Sequence, residues 1–133
     1  MSKSKYDVLG PIYADLGGEL ARVVGGNPDG TYLYAEAGDG WFGYGIFKDE
    51  GAIIRYYRPT SELGDLLREA WDMEDADKRW AVMEYEIKGT SFDARFKFPG
   101  EVNVEWFDIN RRDAAAMKHF GEKPIVYPPP VDR

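Results

Sequence analysis

Glu84 and Glu86 stand two apart in a stretch that alternates like a strand, which puts both carboxylates on one face. Paired carboxylates can do acid–base work or hold a metal. With Lys88 next on that face, they also read as a solvated strand surface. The single histidine, His119, precedes Phe120 in a helical stretch. Catalysis by an imidazole needs a nucleophile or a second acid–base group, and none stands near it in sequence, so His119 reads as structural. Asp72-Met73-Glu74-Asp75-Ala76-Asp77 is rich in carboxylates but lacks the central glycine and distal glutamate of a calcium loop. The absence of cysteine excludes disulfides, thiolate metal ligands and cysteine nucleophiles together. Gly38-Asp39-Gly40 falls between two strands and not between a strand and a helix, so it is no phosphate cradle. Arg111 and Arg112 open a helix, where positive charge is mildly unfavourable. They are expected to pair with nearby acids and are not assigned as an anion site. The expectation is a protein with no catalytic residue, no metal and no cofactor.

The elements that carry these residues follow from periodicity. Residues 6–24 repeat apolar side chains at helical spacing: Val8, Leu9, Ile12, Tyr13, Leu16, Leu20, Val23 and Val24. The run Gly25 to Gly30 stops that helix. Three strands follow at 31–37, 41–48 and 53–58, joined by short turns and hence an antiparallel meander. Gly43 and Gly45 lie on one face of the second strand and predict close approach of another element, with the first helix as candidate. Thr60 or Ser61 caps a helix over 60–77, in which Leu63, Leu66, Leu67, Ala70 and Trp71 make one apolar stripe. Residues 79–88 and 91–98 form a hairpin, with Phe92, Ala94, Phe96 and Phe98 on one face and Asp93, Arg95 and Lys97 on the other. Val102, Val104 and Trp106 add a short extended piece. Asn110 is expected to cap the last helix, with Asp113 at its third position and Ile109 stapled onto Ala114. Gly121 and Pro124 end it. The fold class is therefore α+β: an antiparallel sheet of five or six strands with helices mainly on one face, in the order α-β-β-β-α-β-β-(β)-α. Residues 1–124 make one domain, and 125–133 form a Pro-rich extended tail.

Charge gives the clearest functional signal. The net charge is −7, which argues against nucleic acid as a partner, because phosphate binding needs clustered Lys and Arg. Residues 60–77 hold Glu62, Asp65, Glu69, Asp72, Glu74, Asp75 and Asp77 against Arg68 alone. Glu62, Asp65, Glu69 and Asp72 form a stripe opposite the leucines. The rest crowd the C-terminal end, where each negative charge costs about 0.3–1 kcal/mol against the helix dipole. Folding alone does not ask for this arrangement. A basic protein partner does, with Tyr32, Tyr34, Tyr56 and Trp80 as candidate aromatic anchors. No signal peptide and no membrane span is read, so a cytoplasmic monomer or weak homodimer is expected.

The run Thr31-Tyr32-Leu33-Tyr34-Ala35-Glu36 with its two following strands, Trp80 before a strand, the alternation Ser91–Phe98, and Arg111-Arg112-Asp113 running to Phe120-Gly121-Glu122-Lys123-Pro124 resemble the YezG-like immunity protein family. Where that family's closing helix carries aromatic residues, this chain has Ala114, Ala115, Ala116 and Met117. The resemblance implies an antitoxin that binds and blocks a polymorphic toxin, often a basic nuclease. It implies no individual site residue. Three rival readings stand beside it: a small-molecule module with an aromatic-lined pocket between sheet and helices, a hydrolase using Glu84 and Glu86, and a subunit of a larger assembly.

Overall fold

A computed structural model describes residues 5–102 and 107–129, with the side chains of the first helix described from Gly10 onward. The elements are α1 (Lys5–Val24), β1 (Tyr32–Gly38), β2 (Trp41–Asp49), β3 (Ile54–Tyr57), α2 (Ser61–Asp72), a 3-10 turn (Ala76–Lys78), β4 (Val82–Lys88), β5 (Ser91–Lys97), α3 (Ile109–Phe120) and β6 (Ile125–Val126). They build one α+β sheet of six strands in the order β5-β4-β1-β2-β3-β6. All neighbours are antiparallel except β3 and β6.

β1 lies between β2 and β4 and is covered on both faces, so its first six residues are all buried. On one face, α1 and α2 pack side by side. Leu16 and Leu20 meet Leu63, Leu67 and Trp71 over Leu33, Ile46, Met83 and Tyr85. Each of these fully buried leucines contributes about 1.5–3 kcal/mol relative to exposure. The third helix crosses to the opposite face, where Ala116 of α3 meets Tyr32, Tyr34, Phe47, Ile54 and Val82. The two glycines of β2 explain this placement. A Cβ on Gly43 would sit 2.1 Å from the Phe107 ring, and one on Gly45 would sit 2.7 Å from the Arg112 side chain. The close neighbour is thus the entry to α3 and not α1.

Three boundaries differ from the sequence expectation. The helix read over 60–77 stops at Asp72, and a turn carries Glu74, Asp75 and Asp77. Four acids at the negative end of a helix dipole oppose its extension. Arg79 reaches back instead, donating from Nε to the Trp71 carbonyl (3.2 Å) while its guanidinium stacks over the Trp71 ring (4.5 Å). The N-cap of α3 is Asp108, whose carboxylate accepts from the Asn110 N–H (2.8 Å), so Asn110 is helical and Ile109 is exposed. Asp caps as well as Asn, and here it stands closer to the chain's entry point. The sixth strand is not the piece near Val102, which makes only an isolated bridge to Pro99; Val104 and Trp106 lie outside the described residues. Ile125–Val126 supplies it, pairing parallel to β3. The extended C-terminal segment is therefore docked: Arg58 donates to the Pro129 carbonyl (2.8 Å), and Arg112 donates to the Tyr127 hydroxyl (3.2 Å).

Candidate functional site

The acidic residues of α2 stand where their spacing puts them. Thr60 caps the helix, its hydroxyl accepting from the Leu63 N–H (3.2 Å). Leu63, Leu67, Ala70 and Trp71 face the core, which turns Glu62, Asp65, Glu69 and Asp72 to solvent. Beyond the helix, Asp75 and Asp77 are exposed and Glu74 is half-buried. α2 is about 18 Å long at roughly 1.5 Å per residue, so these charges form a ridge. Three cations stand near the α2 stripe. Arg22 comes within 3.8 Å of Glu62 but is held by Glu19 at 2.6 Å. Arg68 lies over the Phe42 ring (4.8 Å), and Arg79 is taken up by Trp71.

The aromatic anchors proposed beside this ridge do not join it. Tyr32 is fully buried and Tyr34 is 4% exposed, on the opposite side of the sheet from α2. Alternation marks an exposed face only in a strand with one free side, and β1 has none. The Tyr32 hydroxyl donates to Glu84 (2.5 Å) and the Tyr34 hydroxyl to Glu36 (2.5 Å). Burial, and then the carboxylate each one meets, push both phenols well above the ordinary tyrosine value. Trp80 is buried too, and Tyr56 is half-buried against the Arg112 guanidinium (4.5 Å).

Glu84 and Glu86 do share a face, yet each is engaged separately. Glu84 accepts from Tyr32, while Glu86 meets His119 Nε2 at 2.7 Å. The imidazole stacks on Tyr32 with ring centroids 4.5 Å apart and planes 14° from parallel. This is a packed structural arrangement around His119. Among the described residues, no group of three or more His, Asp or Glu side chains is placed to hold a metal.

Sequence reasoning missed the most buried charge. Glu36 is completely enclosed, and Arg111 grips it through two bonds, Nε to Oε2 at 2.6 Å and a terminal nitrogen to Oε1 at 2.7 Å. The carboxylate beside it raises the Arg111 guanidinium further above its ordinary value. Arg112, also buried, packs among Tyr56, Phe47, Phe107 and Tyr127 and donates to Asp113 (3.0 Å). The two arginines at the start of α3 are thus structural, as pairing with acids predicts. The available signal was a glutamate in the middle of an otherwise apolar strand. A cleft of about 650 Å³ lies beside them, between α3 and the β4–β5 end of the sheet.

Comparison with known proteins finds no matching family model and no matching curated relative. No helix among the described residues is long and apolar enough to cross a membrane.

Proposed function

We propose that this chain is an immunity protein of antitoxin type, which binds and masks a basic toxin domain through the acidic ridge of α2. The observation that carries the reading is the exposure of Glu62, Asp65, Glu69 and Asp72 in one stripe, continued by Asp75 and Asp77. A stripe this dense lowers helix stability, because like charges one turn apart cost a few tenths of a kcal/mol each. It raises the rate of encounter with a positive surface, and that gain is screened over about 8 Å at physiological salt. The sequence resemblance adds the class of partner. A nuclease toxin is basic where it grips nucleic acid, and a carboxylate ridge competes for the same side chains. Such an inhibitor works in the cytoplasm as a monomer or weak homodimer.

The test is surface plasmon resonance against the product of any toxin gene found adjacent to the one that encodes this chain. The expected result is a tight complex whose association rate falls steeply between low and physiological salt. The variant Glu62→Gln/Asp65→Asn/Glu69→Gln/Asp72→Asn should associate about tenfold or more slowly, with dissociation little changed. Equal association rates for the two proteins at low salt would remove the ridge from the interface. No binding at all would remove the reading.

A further inference from the structure

The opposite face of the sheet mixes both signs of charge and gathers two cations on β5. Strand register sets two rows across it, Gly45–Tyr34–Glu84–Arg95 and Gly43–Glu36–Val82–Lys97. Arg95 and Lys97 therefore stand at the β5 end of the face that α3 covers. On α3, residues 111, 114, 115 and 118 follow i, i+3, i+4, i+7 spacing and line the same cleft. Two cations, Arg111 and Lys118, are thus separated by Ala114 and Ala115, whose small side chains leave space where larger ones would fill it. The result is the cleft of about 650 Å³, within the range of small-ligand sites.

Among the described lining residues, cations outnumber carboxylates. Arg95, Lys97 and Lys118 are exposed and make no ion pair among the described residues, although the chain has more acids than bases. Arg111 is committed to Glu36. The one carboxylate among the described lining residues is Glu84, which accepts from Tyr32. Three such cations against one carboxylate leave the described lining residues with a surplus of positive charge. Val82, Val102, Ala114 and Ala115 supply apolar wall between them.

We propose that this cleft binds a small dianion, its clustered oxygens bridging Arg95 and Lys97 of β5 to Lys118 of α3. Two chemical sources carry that charge, a phosphate monoester and a dicarboxylate. The site is concave, which selects a small molecule over a flat macromolecular surface. It is independent of the acidic ridge, which lies on the other face.

Isothermal titration calorimetry of the full chain with inorganic phosphate, pyrophosphate, malonate and succinate tests this. Saturable one-to-one binding of at least one probe is expected. Arg95→Gln/Lys118→Gln should weaken it by about tenfold or more, as removing charge-assisted hydrogen bonds does. Both side chains are exposed, so the unliganded melting temperature should stay unchanged. Ala115→Leu, which narrows the cleft from the helix side without touching a charge, should weaken binding as well. Phosphates binding alone assigns the phosphate source, dicarboxylates alone the other, and both together place recognition in charge alone. No saturable heat from any probe overturns the proposal, as does binding that survives the double substitution.

Discussion

Replacing Arg111 by methionine removes the guanidinium from Glu36 and keeps most of the aliphatic stem. The carboxylate then stays enclosed with the Tyr34 hydroxyl as its remaining bond partner among those described above. Breaking a buried pair by deleting one member costs about 3–5 kcal/mol, because the surviving charge is left without compensation. The Arg111 side chain is 37% exposed, so water already screens part of the interaction and the lower end applies, about 3 kcal/mol. For a chain of this length that corresponds to a fall in melting temperature of roughly 10 °C. Urea unfolding followed by circular dichroism measures the loss directly. The double variant Glu36→Leu/Arg111→Met is the decisive partner, since replacing both charges with apolar groups removes the penalty. It should be markedly more stable than Arg111→Met alone. A cost below about 1 kcal/mol for Arg111→Met, or a double variant that merely adds the two single losses, would refute the claim that this pair is a coupled, desolvated unit.

Two further predictions concern the same face and the core. Tyr32, Tyr34 and Tyr85 are pushed above the ordinary tyrosine value of 10.0, chiefly by burial, and Tyr13 is raised to about 12 by burial and then by Glu74. A folded-state value above the unfolded one favours the protonated phenol in the fold, so this stability is fully present below about pH 10 and lost as pH rises above it. The urea midpoint should fall in that alkaline window, with tyrosinate absorbance appearing together with unfolding; early, non-cooperative ionisation of all tyrosines would contradict it. Gly43→Ala forces a methyl against the Phe107 ring and should cost about 1–3 kcal/mol in urea, as overpacking does. A neutral result would mean that Phe107 moves aside freely.

Local pattern accounts for much of the fold. The leucine stripe of α2 and its Thr60 cap, the alternation of β5 and the Gly121 stop after α3 are all visible as spacing, because helix and strand periods are set by the backbone alone. The acidic ridge follows for the same reason: once the leucines face inward, residues offset around the helix face outward. Boundaries were less legible. The end of α2 depends on Arg79 reaching the carbonyls of Trp71 and Asp72, a contact seven or eight residues away. The cap of α3 depends on which of two equivalent residues, Asp108 or Asn110, meets the helix first.

The tyrosines illustrate why a site is harder to read than an element. In sequence, Tyr32 and Tyr34 alternate with apolar residues and resemble one exposed face of a two-sided strand. Their burial follows from β4 pairing on one edge of β1, β2 on the other, and α3 crossing to the second face. Glu36 is buried for the same reason, and its partner Arg111 is 75 residues away. By itself, then, the order of residues determined the α+β class, the helical stripes and the outward ridge of carboxylates, since each arises from interactions within one element. Which strands became neighbours, which face α3 covered, and so which charges were enclosed and which line an open cleft, emerged with long-range packing. Those outcomes rest on contacts between distant segments, and no periodicity within a segment encodes its partner.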